Sequence, residues 1–364
     1  MRFPEFSGEW KKCKLGDLCN VLMCKRILVS QTNTEDGVPF YKIGTIGSTP
    51  DAYISKELFD DYKVKYNYPR KGEVMITCAG TVGKCVVYDG EDAYFQDSNI
   101  VWIDNPTQYI SNGFLFHLLS KVDWRKLNST TIIRIYNDDL RNLKMSYPRK
   151  EEQQKISHLL SLLDERIATQ NKIIEDLKKL KSAITDLLFH SIADAHTIRL
   201  GEIAHITNGA GDVQDANTEH QEDWYPFFDR SEELKWFPTY SFDKEAVIYA
   251  GEGQSFYPRY YNGKFALHQR CYAITDFASC IIPKYCYHFM NTLNSYFVRN
   301  SVGSTVPSLR MDIFQKVEIR LPPIPKQQHI CKIIDAFYTK LEVEQRGISI
   351  LQELKQFLLS QMFI

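Results

Sequence analysis

Some acidic and basic side chains of this chain have the types and spacing of an enzyme site. Asp51, Asp61 and Lys63 imitate the carboxylates and the lysine of a metal-dependent nuclease, in which carboxylates hold the metal and a cation offsets charge. Short patterns of this kind arise often by chance, and the second half of the chain has no counterpart. The nuclease interpretation therefore stays an alternative.

Other catalytic signatures are missing from the sequence. Cys280, Cys286 and His288 come nearest to a metal cluster, but their spacing fits no common zinc pattern. The segment Gly80–Lys84 has the wrong spacing for an ATP-binding phosphate loop, and neither a GxSxG nor an HExxH motif is present. We therefore predict no metal site and no catalytic residue in this chain.

Two glycine-rich segments, 80–84 and 251–254, predict either tight turns or a close approach of backbone to phosphate. Polar residues that can bond base edges surround them, since Arg pairs with guanine and Asn or Gln with adenine in the major groove. Each such residue can equally cap a turn or pair on the surface. The candidate DNA-binding residues are Lys42, Thr45, Thr81, Lys84, Gln96, Asn99, Gln254, Arg259, Lys264, His268, Gln269 and Arg270.

Charge is segregated along the chain, although the net charge is only −1. Residues 121–150 carry eight Lys or Arg against three Asp, and residues 246–310 carry six basic against two acidic. Residues 211–245 are instead acidic, with ten acidic residues against three basic. The balance excludes a uniformly basic nucleic-acid binder and leaves room for local basic patches.

The elements that would position these residues form two globular segments. Short runs of β-branched and aromatic residues, such as 40–43, 74–77 and 100–103, are separated by glycine and Asp/Asn turns. This rhythm predicts strands in an irregular, mostly antiparallel arrangement, with a short helix at 114–119. The same pattern of short strands and turns recurs between residues 196 and 322, with different amino acids.

A long helix is predicted to follow each globular segment. From Glu151 to Ile192, apolar residues recur three or four apart without Gly or Pro, which over roughly 40 residues gives a helix about 60 Å long. The segment Pro325–Ile364 repeats the pattern 174 positions later, so that Gln153-Gln154 returns as Gln327-Gln328. The repeat covers the whole chain, which therefore consists of two similar halves.

Two equal apolar stripes in one chain predict a coiled coil, and related halves arranged about a twofold axis make it antiparallel. Two unrelated amphipathic helices, each covering its own domain, are the alternative. The predicted pairing residues share the apolar stripe: Ile156, Leu160, Leu163, Ile167, Ile174, Leu177, Ile330, Ile334, Phe337, Leu341, Ile348 and Leu351. Gly347 interrupts the second stripe, where it would loosen the helix or mark a close helix crossing.

The chain resembles the specificity subunits of type I restriction–modification systems over essentially its full length. The resemblance lies in two variable segments that each pass into a similar long helix, at residues 148–156 and 321–330. It implies an α/β (α+β) fold with two pseudo-twofold-related target recognition domains, joined by two long helices packed as an antiparallel coiled coil. The implied domains are residues 1–148 and 193–322, and the implied helices are 149–192 and 323–364.

The resemblance also implies a function without catalysis by this chain. Each recognition domain would read one half of a bipartite site in double-stranded DNA, and the helices would set the spacer and dock two modification subunits. A methyl donor, and ATP with magnesium in any restriction subunit, would bind to those partners and not to this chain. A two-headed scaffold that binds protein or sugar stays the rival interpretation.

The sequence also predicts a cytoplasmic protein without a membrane segment. No apolar run reaches the length of a membrane span, and the N-terminus lacks a signal-peptide core. The nine cysteines are odd in number and form no CxxC pair, as expected for reduced thiols.

Overall fold

The computed structural model of this chain describes residues 2–127, 134–192 and 194–363. These residues form two compact units, one of Met1–Asn171 with Gly347–Ile364 and the other of Lys172–Arg346. Each unit combines one globular segment with parts of both long helices. The predicted four-part division along the chain stays a prediction.

The first unit begins with a mainly antiparallel fold. Its strands are β1 (Lys11–Lys14), β2 (Asn20–Leu22), β3 (Val38–Tyr41), β4 (Tyr53–Ile54), β5 (Val74–Thr77), β6 (Cys85–Val87), β7 (Tyr94–Phe95), β8 (Ile100–Asp104) and β9 (Lys144–Tyr147). Its helices are α1 (Lys56–Lys65), α2 (Asn112–Lys121), α3 (Asn137–Arg141) and the start of the long helix α4 (Lys150–His190). The strands form sheets in the orders β2-β8-β5-β6, β4-β3-β7 and β1-β9.

The second unit repeats this plan with one larger sheet. Its strands are β10 (His196–Arg199), β11 (His205–Asn208), β12 (Tyr225–Phe228), β13 (Lys235–Phe237), β14 (Phe242–Ala250), β15 (Arg259–Leu267), β16 (Cys271–Thr275) and β17 (Glu318–Leu321). Its helices are α5 (Leu200–Ile203), α6 (Pro283–Met290), α7 (Asn294–Asn300), α8 (Met311–Gln315) and the start of the long helix α9 (Ile324–Met362). The strand order is β11-β16-β14-β15-β12-β13, beside the pair β10-β17.

The predicted α/β class and the mostly antiparallel pairing are confirmed. Among the described strands, only β3 with β7 and β12 with β15 pair in parallel. The short helix predicted at 114–119 lies within α2, whose N-cap Ser111 accepts a hydrogen bond at 3.3 Å from the backbone N–H of Phe114.

In each globular segment, the first and last strands pair to form a two-stranded antiparallel sheet. Strand β1 pairs antiparallel with β9 in the first unit, and β10 pairs antiparallel with β17 in the second. The chain therefore enters and leaves each globular segment at neighbouring strands, immediately before the long helix begins.

Both predicted long helices are present. Helix α4 has 41 residues and α9 has 39. Gly347 does not interrupt α9, and a Cβ atom placed on it would meet nothing within 4 Å. The expected close helix crossing at this glycine is therefore wrong, because the space beside it is open, whereas a loosening of the helix stays a prediction.

One buried glutamine fastens the start of each long helix to the globular fold. Gln153 donates from Nε2 to the carbonyls of Tyr109 and Pro148 at 3.0 and 2.9 Å, and its Oε1 accepts from the N–H of Ser111 at 2.8 Å. The side chain is fully buried. It therefore provides hydrogen-bond partners for three backbone groups, two just before α2 and one just before α4.

The second unit makes the same arrangement. Gln327 donates from Nε2 to the carbonyls of Cys280 and Pro322 at 2.8 and 2.9 Å, and its Oε1 accepts from the N–H of Ile282 at 2.9 Å. These contacts lie next to α6, the counterpart of α2. The repeated glutamine is thus a structural part of both units.

The two long helices run antiparallel within the first unit. The Oδ1 atom of Asp164 on α4 lies 2.5 Å from Nζ of Lys355 on α9. Toward the start of α4, Ile156 and Leu160 share one buried cluster with Phe363, which follows the end of α9. Moving back along α4 thus corresponds to moving forward along α9.

The second unit shows the same direction of pairing. Nζ of Lys181 on α4 lies 4.1 Å from the ring centroid of Tyr338 on α9. Further along α4, Phe189 shares a buried cluster with Ile330 and Ile334, which precede Tyr338 on α9. The predicted antiparallel packing is therefore present in each unit.

None of the predicted pairing residues is exposed. Seven are buried and five are half-buried: Ile156, Leu160, Ile174, Ile330, Ile334, Leu341 and Ile348, then Leu163, Ile167, Leu177, Phe337 and Leu351. The ends of the stripe belong as much to the globular cores as to the helix pair, since Ile156 packs in the cluster of Phe114 and Ile330 in that of Tyr285. The detailed assignment of pairing partners stays a prediction.

Candidate nucleic-acid interface

In the first unit, three predicted DNA-binding segments lie together. Thr81 Oγ1 donates to the carbonyl of Ile43 at 3.2 Å, and Lys84 Nζ donates to the carbonyl of Ile46 at 2.6 Å. The backbone N–H of Gln96 donates to the last residue of β3 at 2.9 Å. The loop after β3, the turn after β5 and the turn after β7 therefore form one polar surface.

Glycine allows the turn after β5 to pack closely. Gly80 and Gly83 have φ values of +65° and +84°, a region that favours glycine. A Cβ atom on Gly80 would lie 2.7 Å from Ile43, and one on Gly83 would collide with the ring of Trp124. The glycines were predicted to form a tight turn or to approach a phosphate. This close packing explains the glycines by the tight turn.

The predicted residues at this surface differ in their contacts. Lys42 forms an exposed ion pair with Asp51 at 3.1 Å, and the Oγ1 atom of Thr45 accepts from the N–H of Lys42 at 3.0 Å. Oε1 of Gln96 is buried and has no hydrogen-bond partner among the residues described. Asn99 is half-buried in the turn after β7, where its carbonyl accepts from the N–H of Cys78 at 2.7 Å.

Two arginines and an aspartate at this surface were not predicted individually. Nε of Arg26 lies 3.0 Å from Oδ2 of Asp97, and Arg134 Nη2 donates to the carbonyl of Ser98 at 2.9 Å. Ser98 has a φ of +62°, an uncommon conformation for a residue other than glycine. Arg134 belongs to the basic stretch 121–150, which is the sequence signal that could have found it.

In the second unit, the turns after β14 and β15 enclose a cleft of about 560 Å³. The N–H of Gly251 donates to the carbonyl of Arg270 at 3.0 Å, which joins the two turns. A Cβ atom on Gly251 would collide with that same carbonyl, so only glycine fits there. His268, Gln269 and Arg270 line the cleft, together with Asp229 and Glu252.

Two pairs of oppositely charged side chains that line the cleft are in contact. Nη1 of Arg270 lies 2.9 and 3.1 Å from the two carboxylate oxygens of Glu252. Nζ of Lys235 lies 2.6 Å from Oδ2 of the buried Asp229. Burial alone raises the pKa of Asp229, but hydrogen bonds from Lys235 and from the N–H of Ser231 outweigh it and hold this pKa below its usual range.

The remaining predicted DNA-binding residues of this unit differ in their position relative to the cleft. Arg259 donates to the carbonyl of Ser231, a residue that lines the cleft, and Gln254 is exposed in the turn after β14. Lys264 lies elsewhere, with Nζ 4.7 Å from the ring centroid of Tyr240. The structure therefore places His268, Gln269 and Arg270 in the cleft and joins Arg259 to it, whereas Gln254 and Lys264 do not line it.

The polar surfaces of the two units occupy corresponding places in the fold. The first lies where β7, paired in parallel with β3, leads into β8, and the second where β15, paired in parallel with β12, leads into β16. The hairpin turn after β5 matches the turn after β14. The backbone frame is thus repeated, whereas the polar side chains differ.

The alternative chemistries find no support in the contacts. Asp51 pairs with Lys42, Asp61 with Lys65 at 2.5 Å, and Lys63 with Asp92 at 2.9 Å, all on the surface. Within the described ranges no group of three His, Cys, Asp or Glu could hold a metal. The proposed nuclease residues are therefore spread over separate ion pairs.

The long helices also carry apolar side chains that the chain leaves uncovered. In the first unit they include Ile350, Leu354 and Phe357, which follow one another at helical spacing on α9. In the second unit they include Ile173, Leu180 and Leu187, spaced seven apart on α4. Each row is exposed by 37% or more, which is unusual for large apolar residues at such regular spacing.

Comparison with protein families finds a family model that matches most of the chain. The family described as "Type I restriction modification DNA specificity domain" matches residues 7–179 and again residues 193–356. The two matches correspond to the two halves of the internal repeat. Among the described residues, no helix is both long and apolar enough to cross a membrane.

Curated relatives match over parts of their length. A putative type I restriction enzyme specificity subunit, S.HindORF215P of Haemophilus influenzae, is 49% identical over 167 residues, which are 46% of this chain and 43% of that protein. The type I restriction enzyme EcoDI specificity subunit of Escherichia coli is 31% identical over 165 residues, 45% of this chain and 36% of that protein. The matched part is thus less than half of each relative.

Solved structures share the fold over the full length. The type I restriction–modification S subunit from M. genitalium superposes with a TM-score of 0.67 at 17% identity, covering 98% of this chain and 96% of that one. A chain from a study of complex assembly and conformational transition of the type I R-M system gives a TM-score of 0.58 at 17% identity, with 97% of both chains covered. At this level of identity the likeness concerns the fold.

Proposed function

Because this chain belongs to the family of type I restriction modification DNA specificity domains, we propose that it reads the DNA sequence for a type I restriction–modification complex. Each unit would recognise one half of a bipartite site in double-stranded DNA. The observation that carries this proposal is the repeated polar surface, which has the same backbone frame in both units but different side chains. A duplicated frame with different polar groups suits two readers of different sequences.

The side chains at the two surfaces have the chemistry of base reading. In the second unit, Arg270 can donate two hydrogen bonds to guanine and Gln269 can pair with adenine. In the first unit, Gln96 and Asn99 can pair with adenine, while Arg26 and Arg134 add positive charge for phosphate or guanine. Lys264, which lies away from the cleft, would at most contact the backbone of the duplex.

In this proposal the chain supplies no catalytic group. The methyl donor would bind to modification subunits, and ATP with magnesium to a restriction subunit where one is present. Reduced cysteines would suit a place in the cytoplasm, where such a complex meets DNA.

The uncovered apolar rows on α4 and α9 would dock two modification subunits. One row, Ile350, Leu354 and Phe357, lies in the first unit, and the other, Ile173, Leu180 and Leu187, lies in the second. Apolar residues at helical spacing are suited to packing against a partner helix. One row for each unit would give one modification subunit for each half-site.

The experiment that tests the proposal is an exchange of recognition segments. Residues 196–322 are replaced by the corresponding segment of another family member, and the chain is expressed with its modification subunits. Sequencing that detects methylated bases should then show a new sequence in one half-site and an unchanged sequence in the other. A change in both halves, or in neither, would contradict separate reading by the two units.

The scaffold alternative predicts a different response to salt. If the complex binds DNA through phosphate and base contacts, the logarithm of its affinity should fall linearly with the logarithm of the salt concentration. A complex whose heads bind protein or sugar would show no sequence-dependent retention of DNA at any salt concentration.

A further inference from the structure

Each unit contains a lysine that reaches from one long helix to the other at an equivalent position of the repeat. In the first unit, Lys355 of α9 contacts Asp164 of α4 at 2.5 Å. In the second, Lys181 of α4 lies over the ring of Tyr338 of α9. The repeat relates Lys181 to Lys355 and Asp164 to Tyr338, each 174 residues apart. Both units therefore have a lysine contact between the helices, with a carboxylate in the first unit and an aromatic ring in the second.

In the first unit, a buried histidine of the globular fold lies next to the aspartate of this contact. His117 of α2 is fully buried, with Nε2 3.4 Å from Oγ of Ser161 and Nδ1 4.0 Å from Oδ2 of Asp164. Its Nδ1 has no hydrogen-bond partner among the residues that the structure describes. His117, Ser161, Asp164 and Lys355, here called the first junction cluster, therefore join α2 to both long helices.

The second unit has a corresponding cluster. His288 of α6 lies with Nε2 2.9 Å from Oδ1 of Asp335, and its ring stacks on Tyr338 at 5.9 Å between centroids. Asp335 occupies the repeat position of Ser161, and its Oδ2 lies 2.8 Å from Nζ of Lys284. His288, Asp335, Tyr338 and Lys181 form the second junction cluster, which joins α6 to both long helices.

Polar contacts of this kind restrict helix register more than the apolar stripe does. Apolar residues recur every three or four positions, so a shift of α9 by seven residues would again place apolar groups on α4. The same shift would separate Asp164 from Lys355 beside a buried histidine, and an unpaired charge in such a site is costly. The lysine contacts therefore favour one register over its neighbours.

We propose that the two junction clusters set the register of α4 against α9 and fix each recognition segment to that register. Their residues are positioning residues that touch no base. If, as proposed above, the chain reads a bipartite site, the register decides how many unspecified bases separate the two halves. The proposal thus rests on the proposed function for its effect on DNA, but the register itself is a property of this chain.

The decisive variant replaces the charged pair of the first cluster by apolar groups, as Asp164→Leu with Lys355→Leu. The pair is only partly buried, and replacing both of its partners leaves no unpaired charge behind, so we expect the complex with modification subunits to assemble. Because the first cluster no longer constrains the register, nitroxide labels at Glu165→Cys and Gln356→Cys should show a second distance in addition to the one found without the replacement. A seven-residue shift of a helix corresponds to about 10 Å.

The matched control removes an exposed ion pair that lies within one helix. Glu175→Leu with Lys179→Leu removes the pair on α4 without any contact between the helices. It should leave one label distance. All label measurements carry Cys280→Ser, because Cys280 is exposed and the other cysteines are buried or half-buried.

A charge exchange guards against a variant that fails to fold. Asp164→Lys with Lys355→Asp restores the pair in the opposite sense and should return a single label distance and a single spacer. A single distance and a single spacer in the leucine variant would overturn the proposal, as would two distances in the charge exchange. Two distances in the leucine variant, found in a complex that binds no DNA, would support the register role and contradict the proposed function.

Discussion

Arg270 donates from Nη1 to both carboxylate oxygens of Glu252, at 2.9 and 3.1 Å. This contact joins the turn after β14 to the turn after β15 at the edge of the cleft. The arginine side chain is two-thirds exposed, whereas Glu252 is mostly covered. A base that approaches the cleft would therefore meet a guanidinium group whose direction is already set by a neighbouring carboxylate.

We expect Arg270→Ala to weaken binding by about 1–3 kcal/mol and to relax the preference at one base position. Glu252→Gln should reduce discrimination at the same position by a smaller amount, because the guanidinium stays but loses its charged partner. Binding of the assembled complex to duplexes with each base substituted in turn would measure both effects.

The control for this pair is Lys244→Ala, which removes an exposed ion pair with Asp276 on the same sheet. It should leave the base preference unchanged. If Arg270→Ala instead weakens binding equally for all sequences, the arginine contacts phosphate and not a base.

Gln153→Leu should destabilise the first unit. It removes three hydrogen bonds of a fully buried side chain and leaves their backbone groups without these partners, which we expect to lower the free energy of unfolding by about 2–4 kcal/mol. Gln327→Leu should do the same in the second unit. Urea unfolding followed by circular dichroism would show the loss.

The neighbouring glutamines provide matched controls, since Gln154 and Gln328 are exposed. Gln154→Leu and Gln328→Leu should change the free energy of unfolding by no more than about 0.5 kcal/mol. Equal losses for buried and exposed positions would show that helix propensity, and not the hydrogen bonds, accounts for the effect.

The stability of the first unit should depend on pH through His117. Burial lowers the pKa of His117 to about 4, Asp164 opposes this shift and Lys355 adds to it. The unfolded chain, with a pKa near 6.5, binds more protons between about pH 6.5 and 4, so stability rises with pH in this window. The contribution is complete above pH 6.5 and is lost as the pH falls toward 4.

We expect His117 to account for a loss of about 2 kcal/mol between pH 7 and pH 5. His117→Gln should make the pH dependence of unfolding shallower by that amount, as measured by urea titrations at the two pH values. An unchanged slope would mean that the ring is already protonated in the folded chain, with Asp164 as its counter-ion.

Matched insertions should change the spacer of the DNA site. Four residues inserted after Asn171 in α4, together with four after Arg346 in α9, lie at the boundaries of the two units and leave the contacts inside each unit intact. The insertions add about one helical turn, roughly 6 Å, and one base pair rises about 3.4 Å. The methylated site should keep both half-sites and gain one or two unspecified bases.

An insertion in α4 alone is the control, because it shifts one helix against the other and separates Lys181 from Tyr338. That variant should lose assembly or methylation. A complex with matched insertions that methylates DNA at the original spacing would show that the helices do not determine the spacer.

The sequence predicted the long helices well because their signals are local. The paired glutamines mark both helix starts, and the apolar spacing gave pairing residues of which none is exposed. The sequence could not distinguish Gln153 from Gln154, since only the position of α2 decides which of them is buried.

The polar surfaces were predicted less completely. The sequence predicted the turn at Gly80 and Gly83 because glycine is common at tight turns. Both glycines have a positive φ in the structure, a conformation that few other residues adopt. The acidic partners Asp97 and Glu252 were missed, since they lie 71 and 18 residues from the arginines that they contact. No sequence spacing encodes such pairs, which depend on how the turns meet in three dimensions.

The division of the chain into units has a consequence for its synthesis on the ribosome. The second unit consists of residues 172–346 and is complete while the end of α9 is still being translated. The first unit also needs Phe363, whose ring lies 4.8 Å from that of Phe114 and whose carbonyl accepts from Lys121 at 2.6 Å. At about 5–20 residues per second, the first unit waits roughly 10–40 s after Asn171 for this segment. The unit that is synthesised first is therefore the last to be completed, and its uncovered core is a place where a chaperone would bind during translation.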